Sequence, residues 1–123
     1  MKLYSFEKLD VWQRSRVLVF MIYKLTKTYP NDERFGLVSQ LRRASVSVSS
    51  NLAEGSGRTS FKEQARFSEI SFGSLIEVLN QLILSNDLKY ISADSLKELR
   101  VIIEEIGNKI NSLKLSQLNR HNK

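Results

Sequence analysis

No cysteine occurs in the chain, which removes disulfide staples, thiolate metal sites and thiol nucleophiles together. Histidine is almost as scarce, with His121 near the C-terminus the single one. A di-iron bundle needs inward-facing glutamate-x-x-histidine pairs, and a serine nucleophile needs a neighbouring base. The hydroxyl cluster Ser45, Ser47, Ser49 and Ser50 has no histidine near it in sequence and fits close helix packing instead. The expectation is a protein with no catalytic residue, no metal and no cofactor. Long apolar runs are missing too. The longest uncharged one, Val17 to Tyr23, is seven residues, too short for a bilayer. The opening Met1-Lys2-Leu3-Tyr4-Ser5-Phe6-Glu7 is not the unbroken apolar stretch of a signal peptide. A cysteine-free chain with neither feature suits the reducing cytoplasm, with no membrane among its partners.

Proline occurs once, as Pro30, and glycine five times, so little interrupts helices. The 123 residues suit one domain, long enough to bury roughly two thirds of its unfolded surface without staples. Four segments carry helical periodicity. In residues 9–29, Val11, Leu18, Ile22, Leu25 and Tyr29 share one face. Pro30 stops that helix, and Asn31, with Asp32 and Glu33 behind it, is the expected cap of the next, over 32–54. Its stripe is Leu37, Leu41, Ala44, Val48 and Leu52. The third helix, 60–88, opens on Ser60-Phe61-Lys62-Glu63, a capping box. It carries Phe61, Ala65, Phe72, Leu75, Leu79, Leu82 and Ile83 over roughly 40 Å at 1.5 Å per residue. The fourth, 93–115, starts at Ser92 or Ser95 with Leu96, Leu99, Ile103, Ile106, Ile110 and Leu113 inward. Residues 116–123 form a polar tail expected to fray. Short breaks make neighbours antiparallel, so the fold class is an all-α, up-down four-helix bundle.

Apolar residues also lie off these stripes. Phe67, Ile70, Ser71, Ser74 and Val78 fall on the far side of helix three, Phe35, Val46 and Ala53 on that of helix two, and Phe20 and Tyr23 on helix one. Their alignment over three helices predicts a subunit interface built from Phe20, Phe35, Val46, Phe67, Ile70 and Val78. The segment Asn51, Glu54, Gly55, Gly57, Arg58 and Ser60 resembles a phosphate-holding turn before a helix. Gly55 closing one helix, Gly57 turning the chain and Ser60 capping the next account for it, with Glu54 and Arg58 placed to pair across the turn.

Nineteen basic against thirteen acidic residues leave a net charge of +6, which favours polyanions. Helix one has Arg14, Arg16, Lys24 and Lys27 with no acid after Asp10. Arg16, Lys24 and Lys27 share an arc with Phe20 and Tyr23, a mixture suited to phosphate contact and base stacking. Arg42 and Arg43 add charge in helix two, and Lys114, Arg120 and Lys123 near the C-terminus.

A set of short motifs then carries a family resemblance. They are Leu9-Asp10-Val11-Trp12-Gln13, Tyr29-Pro30, Glu33-Arg34-Phe35-Gly36-Leu37, Gln40-Leu41-Arg42-Arg43-Ala44, Ser47, and Asn51-Leu52-Ala53-Glu54-Gly55-Ser56-Gly57-Arg58. Phe67, Gly73-Ser74-Leu75 and Glu77 follow. In order and spacing, from Phe6 to Leu113, they resemble the four-helix-bundle family encoded in intervening sequences of bacterial 23S rRNA genes. The same fold family includes the accessory variability determinant protein of diversity-generating retroelements, which works beside a reverse transcriptase. The resemblance implies a ring-shaped homo-oligomer, a pentamer, with a basic surface for RNA or DNA, and it implies no enzyme. The leading expectation is electrostatic binding of structured RNA; the alternative is a protein–protein adaptor serving a reverse transcriptase or another protein, without a nucleic-acid role.

Overall fold

The computed structural model describes Met1–Lys123 and contains four α-helices and no strand: α1 Asp10–Thr26, α2 Leu37–Ser56, α3 Phe61–Asp87 and α4 Ala93–His121. Single 3₁₀ turns at Ser5–Lys8 and Asn31–Glu33 precede α1 and α2. Each helix packs on its neighbours in sequence and α1 closes onto α4, while the backbones of the diagonal pairs stay apart. Cross-helix pairs show the directions. Gln81 meets Gln40, Ser74 meets Ser47 and Ser71 meets Val48, so α3 descends as α2 rises. Ser68–Gln117 and Glu69–Lys114 reverse α4 against α3, and Lys109–Asp10 and Arg14–Glu105 reverse it against α1. This is an antiparallel all-α bundle. Leu18 and Ile22, Leu41 and Val48, Leu75 and Leu82, and Ile106 and Ile110 are fully buried, so every helix supplies the centre.

Helix ends follow local chemistry. Ser60 Oγ accepts the Glu63 amide at 3.1 Å and starts α3, and Ser92 Oγ accepts the Ser95 amide at 3.0 Å and starts α4. The end of α3 is a Schellman turn, in which the Tyr90 amide donates to the Ser85 carbonyl and the Lys89 amide to that of Asn86. Its left-handed position is held by Lys89, at φ 64°, where glycine is the usual residue.

Several expectations need correction. The first helix ends at Thr26, because the backbone before Pro30 is steered away from helix. Tyr29 is buried even so, its ring 5.5 Å from that of Tyr90. Asn31 does not cap α2. Asn31–Glu33 makes its own turn, Gly36 precedes Leu37, and the Glu33 carboxylate accepts the Leu37 amide at 3.2 Å. The tail does not fray at 116, since α4 runs on to His121 with Gln117 buried and accepting from Ser68 at 2.7 Å. Phe61 and Ile83 are exposed, whereas Ile102 is buried.

The far side of α3 is also corrected. Ser71, Ser74 and Val78 are buried, and Phe67 is half-buried against Gly55 between Arg58 and Arg66. A helix flanked by two neighbours buries an arc wider than one stripe, and α2 covers the part assigned to another subunit. Arg58 stacks on Phe67, 4.6 Å from its centroid, and makes no ion pair with Glu54. By length and composition α3 alone could cross a membrane, yet it is the helix packed between α2 and α4.

Two substitutions test these ends. Ser60→Ala should lower stability by about 1 kcal/mol because the cap is removed, seen as a lower denaturant midpoint; coincident midpoints would place the boundary elsewhere. Lys89→Gly should raise stability by about 1 kcal/mol, because the left-handed conformation no longer opposes a Cβ. A lower midpoint for that variant would contradict the turn geometry.

Candidate nucleic-acid interface

Where α1 and α2 lie side by side, Arg42 joins them. Its Nε donates to Thr26 Oγ1 at 3.0 Å, and Thr26 Oγ1 in turn donates to the Ile22 carbonyl at 2.8 Å. The guanidinium lies 4.6 Å from the Tyr23 ring centroid, a cation–π distance. The Thr26 hydroxyl, the Tyr23 ring and the Tyr23 carbonyl, which accepts from the guanidinium at 3.5 Å, thus hold Arg42 in place, with no carboxylate among its partners.

Beside this contact is an open groove of about 690 Å³. Its lining is Tyr23, Arg34, Phe35, Val38, Ser39, Arg42, Arg43, Val46, Ser47 and Ser50, without a carboxylate. Arg34 and Phe35 come from the turn into α2, where Phe35 is 87% exposed and the Arg34 guanidinium sits 5.4 Å from its ring. Glu33, next in the chain, is engaged by other groups. Its carboxylate accepts from Leu37 and, at 2.8 Å, from the Tyr90 hydroxyl. That hydrogen bond, with some burial, raises the pKa of the Tyr90 phenol.

The outward arc of α1 continues the same face. Arg16, Phe20, Tyr23, Lys24 and Lys27 are all on the outside, at intervals that stack them along one side. No acid occurs from Val11 to Lys27 or from Arg34 to Ala53. Arg16 stacks on Trp12 at 4.9 Å and bonds Gln13, a neutral partner. Every ion pair of the molecule lies elsewhere.

The other basic residues are differently placed. Arg14 makes a two-pronged bond to Glu105, at 2.8 and 3.0 Å, and Lys109 bridges Glu105 and Asp10. Hydrogen bonds from Arg14 and then Lys109 hold the Glu105 carboxyl below its ordinary range, and the bond to Asp10 raises Lys109. These charges close α1 onto α4. Lys114 pairs with Glu69 at 3.3 Å. Arg120 lies 5.7 Å from Phe61, at the far end of the bundle from Phe35.

Of the nine cations singled out in the sequence, the structure brings together Arg16, Lys24, Lys27, Arg42 and Arg43, and leaves Lys123 at the C-terminal end beyond α4. It sets apart Arg14, Lys114 and Arg120. Periodicity and charge do not single out Arg34, Ser39 and Ser50 as part of this face, and they assign Phe35 only to an interface. An Arg-Phe-Gly turn abutting a helix without acid until Glu54 is the available signal. Among the expected interface residues, Phe20 (71%), Phe35, Val46 and Ile70 are exposed. Val78 has no exposure and Phe67 is half-buried. No cluster of acids or histidine has the arrangement of a metal site.

No curated protein matches the chain in sequence. Among solved structures it resembles a protein of unknown function from the S23 ribosomal protein family of Bacteroides thetaiotaomicron VPI-5482. The TM-score is 0.78 at 21% identity, over 85% of this chain and 94% of that one. At that identity the likeness is one of fold. The sequence itself carries the family match, over residues 7–112, which reach from the first 3₁₀ turn into the last third of α4. The chain belongs to the 23S rRNA-intervening sequence protein family.

Proposed function

We propose that this protein is a non-enzymatic, self-assembling RNA-binding protein of the cytoplasm, and that its α1–α2 face holds the phosphate backbone of folded RNA. One observation carries the reading: Arg16, Lys24, Lys27, Arg34, Arg42 and Arg43 share a continuous face and none has a carboxylate partner. Cations that the fold itself does not neutralise are available to phosphates, and a carboxylate-free lining leaves nothing to repel them. A family named for an intervening sequence of 23S rRNA sets RNA ahead of DNA among polyanions. Binding of this kind is weakly selective for sequence, because the face presents no base-reading motif.

Assembly is the second part of the proposal. Ile70 and Leu84 are exposed on α3, and Val101 is exposed on α4. Apolar side chains so placed stand outside the buried core and suit contacts between copies in a ring, with a pentamer implied by the family resemblance. They equally suit a protein partner, which supports the second reading: an assembly adaptor, akin to the retroelement accessory protein and its reverse transcriptase.

Arg16, Lys24 and Lys27 changed together to glutamate should weaken binding of a structured RNA and flatten its salt dependence. The log–log slope should fall by roughly 0.7 to 0.9 for each phosphate that is no longer neutralised. Lys62 and Lys97, on α3 and α4 near acids, serve as the matched control and should change little. A parent protein that binds no RNA at low salt would reject the RNA reading in favour of the adaptor.

Ile70→Glu with Leu84→Glu should lower the mass measured by light scattering while leaving helix content in place. A monomeric parent at micromolar concentration would remove the assembly proposal.

A further inference from the structure

We infer that the α1–α2 groove takes unpaired RNA in preference to duplex, with Phe35 as the platform on which a base stacks. The inference rests on the RNA-binding reading and specifies which part of a folded RNA is held.

Phe35 stands at the apex of the turn into α2, 87% exposed, and joins no part of the core. The Arg34 guanidinium lies near its ring at 5.4 Å, yet at that exposure most of the ring surface remains open. Tyr23, across the groove, repeats the pattern with Arg42 at 4.6 Å and 39% exposure. Each exposed aromatic of the groove is therefore accompanied by a guanidinium. A base stacked on the ring then brings its phosphate towards a fixed positive charge. Arg43, exposed and without an ion pair, and the hydroxyls of Ser39 and Ser50 complete the polar part of the lining.

Size and shape favour a single strand. A groove of about 690 Å³ falls among pockets of roughly 300–1,000 Å³ that enclose a ligand of small-molecule size. It has room for a base with its sugar and phosphate, whereas a duplex could only lie across its rim. In an A-form duplex the base faces are occupied by their neighbours and the major groove is too narrow for side chains. Phe35 and Tyr23 would then meet no free base, and only the cations would contribute. Unpaired nucleotides offer both, because every base has a face to stack and every linkage a phosphate.

The test compares two labelled RNAs with equal numbers of phosphates, an unstructured single strand and a blunt-ended, fully paired duplex with no loop, titrated at matched salt concentrations. The single strand should bind more tightly. Phe35→Ala should weaken single-strand binding about tenfold, in keeping with removal of one stacked base, while duplex affinity and both salt slopes hold. Phe35→Trp should restore or exceed the parent's single-strand affinity. Arg43→Glu should weaken both RNAs and reduce both slopes. Equal affinity for the two RNAs, or an equal weakening of both in Phe35→Ala, would overturn the inference while leaving the RNA-binding reading intact. A fall in assembly mass for Phe35→Ala, measured by light scattering, would assign the ring to contacts between copies and overturn the stacking role. Failure of the parent to bind either RNA would remove both readings.

Discussion

The bundle depends on the seam between α2 and α3, where small residues bring two helices close enough for hydroxyls to bond across. Ser71 Oγ donates to the Val48 carbonyl at 2.8 Å, and the hydroxyls of Ser47 and Ser74 meet at 2.8 Å. A Cβ added at Gly55 would stand 2.8 Å from that of Phe67, so the lower end of the seam closes only over glycine. A buried hydroxyl left unpaired costs about 1–3 kcal/mol, so a slip along either helix would be penalised at several positions at once. Ser45 and Ser85, buried beside the seam, bond back to their own helix carbonyls and leave nothing unmet. The register of α3 on α2 is thereby set, and with it the direction in which the rest of α2 points.

That direction has a chemical consequence. With its inner side against α3 and one flank against α1, α2 turns Arg43, Val46 and Ser50 to solvent beside the outward arc of α1. The basic residues of this face differ from those along the other seams. Arg14, Lys109, Lys114 and Arg66 are matched by carboxylates along the α1–α4 and α3–α4 seams or within α3. Arg16, Lys24, Lys27, Arg34, Arg42 and Arg43 are not. Net charge describes the whole molecule, but a phosphate responds to local potential, which the pairing pattern controls. The molecule carries two kinds of surface: a basic, aromatic face on α1 and α2, and exposed apolar side chains on α3 and α4.

The sequence match shows the family, and the likeness to an S23-family structure shows the architecture. A four-helix bundle hosts many unrelated functions, so activity has to be argued from the surface and not from the fold. Here the core is apolar residues with serine and glutamine bonds between neighbouring helices, which stabilise and align them. What distinguishes this chain lies on its outside, in the cations that no acid covers and in the ring of Phe35.

The sequence by itself determined the four helices, their inward stripes and several of their ends. Leu18, Ile22, Leu41, Val48, Leu75, Ile106 and Ile110 recur at helical spacing, and Ser60 announces a cap, because both signals arise from residues within a turn or two of each other. The break before α2 was less legible, since Asn31 is a good cap on local grounds and only the long-range bonds of Glu33, to Tyr90 above all, give that turn its own course. Likewise α4 outlasts its apolar stripe because Gln117 is buried against Ser68, a contact between residues far apart in the chain. The candidate site divides the same way. That α1 and α2 are basic is written in the chain, whereas the freedom of Arg16 and the engagement of Arg14 depend on Glu105 standing opposite one and not the other. Val78 and Phe35 look alike as apolar residues off the main stripes, and only the packing of α2 on α3 buries the first and leaves the second open. Periodicity records which way a side chain points from its own helix; what meets it there is decided by where the neighbouring helix lies.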